Sequence, residues 1–265
     1  MTLKSSRLVS IRSKTVLGLL DDSKADISDS YLVGDIIAVG VRTFWLSNTT
    51  QICSNCLVYS GIDQISQNVY INDNKITATT SGFRMDLNQD LDIEIMNNDI
   101  LISNPTNASL ALNLLERGDN NIPVTISNNY FNAPVKLLSM DSYSVLATDN
   151  RFISADFPLM FITAGALRIT GNTFVNYSVA IQTQYSTPNS IYFSSNMFEQ
   201  GGYIFNGSST RTSFEIANNT ITRCSGGFRT YGTPLAGITT IHGNTFSDCS
   251  CESRLVHIKG FNQND

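Results

Sequence analysis

A pattern of alternating apolar and polar positions followed by a turn recurs along the chain at intervals of 19 to 31 residues. In one copy, Val69 and Ile71 alternate with polar residues, Asp73 and Asn74 follow, and apolar Ile76 comes two positions later. Alternation with a period of two predicts a β-strand, and an Asp-Asn pair suits the backbone of a tight bend. Each copy therefore predicts one coil of a solenoid, made of a strand, a bend and the start of a second strand.

The asparagine that follows the bend gives all copies a common frame. With that position denoted n, apolar residues occupy n−3 and n+2 in nearly every copy, and a later apolar pair predicts a third strand in most coils. Ten copies fit the frame, and in the first of them Ser30 stands at n. The predicted ladder asparagines are Asn55, Asn74, Asn98, Asn129, Asn150, Asn172, Asn196, Asn219 and Asn244.

Stacking of the coils would bring the asparagines together. Equivalent strands of adjacent coils would lie about 4.8 Å apart, so that each side-chain amide can bond the next and satisfy polar groups at the bend. This ladder resembles that of the right-handed parallel β-helix proteins, the pectin-lyase-like group with short β-helix repeats. The resemblance implies an all-β fold, a right-handed single-stranded parallel β-helix of about ten coils with a stacked asparagine ladder.

The repeat also predicts how the chain is divided. Residues 1–15 are expected to form an N-terminal cap or the remnant of a preceding coil, residues 16–258 the β-helix, and residues 259–265 a polar tail. Both ends look like unfinished coils, and the open ends of solenoids need caps or partners. We therefore expect other subunits or domains to cover them.

Composition excludes several classes of partner. The formal net charge is −5, without a basic stripe, which argues against nucleic acid. No apolar stretch approaches the 18 residues of a membrane span. The N-terminus lacks the apolar core of a secretory signal. These features leave the localisation open. A virion-like or extracellular particle is one of the locations that they allow.

The five cysteines fall into two groups, Cys53 with Cys56, and Cys224 with Cys249 and Cys251. The Cys53-x-x-Cys56 spacing is typical of half a zinc site, but seven coils, or about 34 Å, separate it from the second group. A single tetrahedral site is therefore excluded. Cys224 and Cys249 both follow n by five residues, one coil apart, which allows either a disulfide or a stack of thiols.

An acidic strip on the long-loop edge of three neighbouring coils is the candidate catalytic site. Its carboxylates could supply an acid/base pair for glycoside cleavage, or hold Ca²⁺ beside an arginine base as in the lyases that the resemblance implies. The complete lyase, hydrolase and epimerase motifs of that group are absent. The candidate catalytic residues are Asp86, Asp90, Glu116, Arg117, Asp119 and Asp141. The candidate Ca²⁺ ligands are Asp86, Asn88 and Asp90.

Aromatic side chains on a flat outer face could instead stack on sugar rings. The residues predicted to point outward from the ladder strand are Tyr70, Tyr130, Tyr192 and Met197, mixed with Glu94, Arg168 and Glu215. Two functions follow. The first is a non-catalytic β-helix, a structural or receptor- or carbohydrate-binding module of a larger assembly such as a phage tail or phage-tail-like particle, which it resembles. The alternative is a polysaccharide lyase or glycoside hydrolase that uses the acidic strip. Apart from Ca²⁺, no cofactor is expected.

Overall fold

The computed structural model of the chain describes residues 2–4, 7–9, 15–20, 24–60, 67–87, 91–105, 109–116, 124–138, 144–155, 158–162, 166–183, 190–208, 213–231, 239–250 and 256–258. Within these residues the chain forms 29 β-strands and no helix. All strand pairings are parallel, and each strand pairs with its equivalent in the adjacent coils. Because a strand can return to a parallel neighbour only by crossing over, the chain winds as a right-handed parallel β-helix.

The first face of the solenoid is the ladder sheet, whose strands end at the asparagine bend. It contains eleven strands among the described residues, one more than the ten predicted coils, because a strand at Thr2–Lys4 pairs with Lys24–Ser28. These strands are Thr2–Lys4 (β1), Lys24–Ser28 (β4), Thr43–Ser47 (β7), Gln67–Asn72 (β9), Leu91–Met96 (β11), Val124–Ser127 (β14), Val145–Thr148 (β17), Ala166–Thr170 (β20), Ser190–Ser194 (β22), Ser213–Ala217 (β24) and Thr239–His242 (β27).

The second face follows directly after the bend, and four long strands continue from it into the third face. The second-face strands are Arg7–Val9 (β2), Tyr31–Val33 (β5), Asp99–Ile102 (β12), Tyr130–Phe131 (β15), Arg151–Ala155 (β18), Thr220–Thr222 (β25) and Thr245–Ser247 (β28). The four that continue are Thr50–Ser60 (β8), Lys75–Leu87 (β10), Thr173–Thr183 (β21) and Met197–Ser208 (β23). The third-face strands are Thr15–Leu20 (β3), Asp35–Val39 (β6), Leu110–Glu116 (β13), Val135–Leu138 (β16), Leu159–Ile162 (β19), Phe228–Tyr231 (β26) and Val256–Ile258 (β29).

The core is a set of columns of equivalent apolar side chains. At n+2 the rings of Phe131, Phe152, Phe174 and Phe198 stack at centroid distances of 5.3, 4.8 and 5.1 Å. All four are fully buried. Alternation thus directs one residue in two into a continuous core, and the spacing between coils places identical rings in offset contact.

The bend before the ladder position has the same backbone in every described coil. The residue at n−1 takes a left-handed conformation, with φ between 42° and 69°. Asn, Asp and Gly tolerate this region at little cost, which explains the turn residues of the repeat. The residues at n−1 are Asp29, Asn48, Asp73, Asn97, Asn128, Asp149, Gly171, Ser195, Asn218 and Gly243.

The asparagine ladder lies just inside this bend. The Nδ2 of Asn98 donates to Oδ1 of Asn129 (2.9 Å) and to the carbonyls of Ile71 (2.7 Å) and Met96 (2.9 Å). Its Oδ1 accepts from both the backbone N–H (3.1 Å) and the Nδ2 (2.9 Å) of Asn74. The amide-to-amide bond repeats without a break from Asn74 through Asn244. The predicted stacked ladder is confirmed over these coils.

Asn55 does not belong to the ladder, and its assignment was wrong. The ladder position of its coil is Thr49, whose backbone N–H donates to Oδ1 of Asn74 (3.0 Å). Asn55 instead lies within β8, where its N–H donates to Asp35 Oδ1 (3.0 Å) and its own Oδ1 accepts from Ser81 Oγ (2.7 Å). The error arose because a hydroxyl residue stands at n, and an asparagine six residues later fitted the spacing.

The division at residues 15 and 259 stays a prediction. Within the described part of the chain, no helix is both long and apolar enough to span a bilayer.

Candidate functional site

A column of side chains points outward from the centre of the ladder sheet, at position n−4. Strand register places each of them directly beside its equivalent in the next coil, about 4.8 Å away. The column reads Asp26, Trp45, Tyr70, Glu94, Thr125, Leu146, Arg168, Tyr192, Glu215 and Thr240. It contains aromatic residues at two separate places, each beside charged groups.

The first place is a stacked aromatic pair. The rings of Trp45 and Tyr70 lie 5.7 Å apart at an interplanar angle of 14°. Trp45 remains 36% exposed, which is high for an indole held by neighbouring strands. Its ring therefore forms part of an outer apolar surface. We call Trp45, Tyr70, Asp92 and Glu94 the aromatic patch.

A carboxylate orients the tyrosine of this patch. Tyr70 Oη donates to Asp92 Oδ2 at 2.8 Å. That hydrogen bond, followed by burial and the charges of Asp92 and Glu94, raises the pKa of Tyr70 to about 12. The phenol thus stays protonated as a donor throughout the physiological range. The patch combines an apolar ring surface with carboxylate oxygens that accept hydrogen bonds.

The second place lies five coils further along the same column. The guanidinium carbon of Arg168 stands 5.3 Å from the ring centroid of Tyr192, within the range of a cation–π contact. Depressions flank this pair. One of about 390 Å³ is lined by Ser144, Leu146 and Ala166 together with the pair. The other is lined by Thr170, Ser194 and Glu215 together with the pair. We call Arg168, Tyr192 and Glu215 the arginine patch.

Sequence reasoning placed part of this surface correctly. Tyr70 and Tyr192 do point outward from the ladder sheet, whereas Tyr130 and Met197 lie one bend further on, in β15 and β23 of the second face. Trp45 was missed. The sequence does contain the pattern that predicts it, because Phe44, Trp45 and Leu46 stand at n−5, n−4 and n−3 when Thr49 is taken as n. Placing n at Asn55 assigned these positions to other residues.

Most of the predicted acidic strip lies outside the described residues. Asp86 is half-buried in β10 of the third face, where its neighbours in register are Ser60 and Leu115. The backbone of Glu116 ends β13. The remaining members, Asn88, Asp90, Arg117, Asp119 and Asp141, are not described. The catalytic and calcium predictions therefore stay predictions.

The cysteines form two local arrangements. Cys53 and Cys56 form a disulfide with a Cα–Cα distance of 5.0 Å, so this pair is not half a zinc site. Cys224 and Cys249 are both present as thiols. Equivalent backbone hydrogen bonds around them, from Arg223 to Ser247 and from Ser250 to Cys224, show that they are in register on adjacent coils. Cys251 lies outside the described residues.

The fold and its outer face define a parallel β-helix protein whose distinctive surface is carried by the ladder sheet. The family model of the periplasmic copper-binding protein (NosD) matches residues 111–265, more than half of the chain. The chain therefore belongs to the NosD family. No curated protein and no solved structure matches it. The match includes the arginine patch and excludes the aromatic patch.

Proposed function

We propose that this protein is a non-catalytic carbohydrate-binding β-helix that acts outside the cytoplasm, and that the outer face of the ladder sheet is its binding surface. The observation that carries the proposal is the exposed Trp45–Tyr70 stack beside the carboxylates of Asp92 and Glu94. The family is described as periplasmic, which agrees with the prediction of a location outside the cytoplasm. Neither the described residues nor the family match supports a virion-like particle.

The aromatic patch has the chemistry that a sugar ring needs. A pyranose presents an apolar face of C–H groups, which can lie on an indole or phenol ring, and a rim of hydroxyls. Binding pockets combine such apolar surfaces with a few placed polar groups that fix orientation. Here Asp92 and Glu94 accept from hydroxyls, and the ring of Trp45 supplies the apolar platform.

The two patches favour a chain-like ligand over a single sugar. Trp45 and Tyr192 are six coils apart in one column, a separation of about 29 Å along the solenoid axis. No monosaccharide spans that distance, but a polysaccharide laid along the axis contacts both patches. Two contacts on one ligand raise the overall affinity without a deep pocket, which suits a flat sheet with shallow depressions.

Trp45 is the one tryptophan of the chain, so its fluorescence reports directly on the proposed surface. We expect titration with a neutral polysaccharide to shift and quench this emission, and with the corresponding monosaccharide to do so at least tenfold more weakly. Trp45→Ala and Tyr70→Ala should each weaken binding tenfold or more in affinity electrophoresis. Ile52→Ala is the matched control, because Ile52 is 42% exposed on the next face of the same coil.

The proposal fails if Trp45→Ala, Tyr70→Ala and Ile52→Ala bind a glycan equally well. It also fails if no member of a panel of neutral, basic and acidic glycans changes the fluorescence of Trp45. Cleavage of a glycan during the titration would instead favour the alternative enzyme, and Asp119→Ala would then identify the acidic strip as its site.

Copper does not enter the proposal. Copper is held in proteins by thiolate, thioether or imidazole groups, and the described residues offer no group of three or more His, Cys, Asp or Glu side chains that could hold a metal ion. Cys53 and Cys56 are consumed in a disulfide. The thiols of Cys224 and Cys249 donate to backbone carbonyls. The donor set of the described residues therefore does not fit the metal named in the family description.

A further inference from the structure

A second bend, after the second face, carries its own column of stacked side chains in the C-terminal coils. The residue that starts each bend has φ between 53° and 55°, as at Asn176, Gln200, Arg223 and Asp248. The next residues are Tyr177, Gly201, Cys224 and Cys249. This column contains no asparagine, so other groups must satisfy the carbonyls that face it.

The two thiols take the place of asparagine amides. Cys224 Sγ donates to the carbonyls of Thr222 (3.4 Å) and Phe198 (3.7 Å). Cys249 Sγ donates to those of Ser247 (3.3 Å) and Ile221 (3.6 Å), which are the equivalent groups one coil later. Since the two contact sets are related by one coil, the Cα atoms lie about 4.8 Å apart, inside the range that a disulfide spans.

Tyr177 closes the other side of the column. Gly201 has no side chain, and a Cβ placed on it would lie 2.1 Å from the Tyr177 ring. The ring thus covers Gly201, and its Oη lies 3.1 Å from Cys224 Sγ. Cys224 is left 1% exposed, whereas Cys249 is half-buried. An external reagent can therefore reach Cys249 first. The thiol next to Cys249 in the column is that of Cys224.

We propose that Cys224 and Cys249 are an oxidation site that closes to a disulfide between adjacent coils. The thiolate of Cys249 attacks a small-molecule or protein disulfide, which releases one thiol of that oxidant. Cys224 then loses its proton and attacks Cys249 Sγ in the mixed disulfide, which releases the second thiol. Two thiols of this chain are oxidised, one S–S bond forms, and one oxidant disulfide is reduced to two thiols.

Two further observations agree with this order and with this chemistry. Burial raises the pKa of the Cys224 thiol, while the hydrogen bond from Tyr177 opposes that rise, so Cys224 is suited to the second attack rather than the first. The Cys53–Cys56 disulfide in the same chain is of the kind that forms and persists in oxidising compartments. In such a compartment a paired thiol column is exposed to disulfide exchange.

The test is made in a Cys251→Ser variant of the full chain, which removes the one cysteine that lies outside the described residues. The protein is incubated with oxidised glutathione, denatured, and its free thiols are alkylated and counted by mass spectrometry. We expect no free thiol, and a peptide that joins Cys224 to Cys249. The unfolding midpoint should rise by roughly 6–12 °C over that of the same variant with only Cys224 and Cys249 reduced, because the link closes a loop of about 25 residues.

Cys249→Ser in the same background is the matched control, and it should retain Cys224 as a thiol after the same treatment. Two alkylated thiols in the Cys251→Ser variant after oxidation would overturn the proposal. So would mixed disulfides with glutathione on Cys249 that Cys224 never resolves. Because neither readout uses a glycan, the result is independent of the proposed binding function.

Discussion

The bends at Ser30 and Thr49 and the eight bends from Asn74 to Asn244 share one backbone conformation but differ in their side-chain hydrogen bonds. The hydroxyls of Ser30 and Thr49 donate to carbonyls of their own coil, at Ser28 (2.7 Å) and Ser47 (2.9 Å). From Asn74 to Asn219, the amide bonds the coils before and after its own. The left-handed residue at n−1 thus forms the bend, whereas the amide at n couples one coil to the next.

This difference separates local from cooperative stability. A solenoid is stabilised by the intrinsic stability of each coil and by the interfaces between coils. The bends with Ser or Thr at n stabilise their own coil. The bends with Asn at n stabilise their own coil and also the interface with its neighbours. We expect unfolding to begin where the amide coupling is missing.

Asn150→Ala should produce the largest effect. The substitution removes the acceptor of two Asn129 donors, at 3.0 Å each, and the donor to Ile126 O at 2.7 Å, all in a buried position. Because buried groups are left unsatisfied, we expect the free energy of unfolding to fall by about 3–5 kcal/mol. Thr49→Ala should cost only about 1 kcal/mol. Urea denaturation followed by circular dichroism measures both, and equal losses would contradict the comparison.

Gly201→Ala tests a bend that packing rather than an amide holds together. The new methyl group meets the ring of Tyr177, which must move away from Cys224. Overpacking of this kind should lower the free energy of unfolding by about 1–3 kcal/mol. Adding Tyr177→Ala removes the clash, so the cost of Gly201→Ala in that background should fall below half of its value alone. An unchanged cost would place the strain elsewhere.

Thr49→Asn should extend the ladder by one coil. By analogy with Asn74, whose Nδ2 donates to Leu46 O at 2.8 Å, an amide at this position reaches Ile27 O and the Oδ1 of Asn74. We expect a gain of about 1 kcal/mol in the free energy of unfolding. Thr49→Val keeps the shape without an amide and should show no gain. A stabilising valine together with a neutral asparagine would mean that burial, not coupling, governs this bend.

The smallest effect concerns the outer face rather than the bends. The pKa of Tyr70 is raised to about 12 from an ordinary value of 10.0, so its phenol is favoured in the folded protein. The Tyr70–Asp92 bond therefore contributes fully below pH 10 and is lost as the pH rises through about 12. Absorbance titration should show Tyr70 ionising late, and Asp92→Asn should lower its pKa toward the ordinary value. An Asp92→Asn titration identical to that of the wild type would exclude the carboxylate as the cause.

The sequence predicts correctly those positions whose structure is set by a few neighbouring residues. Val69, Ile71 and Asn74 were placed correctly because strand alternation and the preference of the bend act over a few residues. Asn55 was misplaced because the hydroxyl of Thr49 can occupy the same bend, which a rule based on asparagine does not recognise. Trp45 was missed for the same reason, because a ladder position placed at Asn55 puts Gln51 rather than Trp45 at n−4.

The sequence by itself determined the parts of each coil: which segments extend, where the chain bends, and which side chains alternate inward. Only the tertiary structure decided which coils' side chains meet, such as Trp45 with Tyr70, Tyr177 with Cys224, or Arg168 with Tyr192. The physical reason is that the spacing between equivalent positions varies along the chain, from 19 residues between Ser30 and Thr49 to 31 between Asn98 and Asn129. Lateral neighbours are therefore set by the register of stacked strands and not by spacing along the chain.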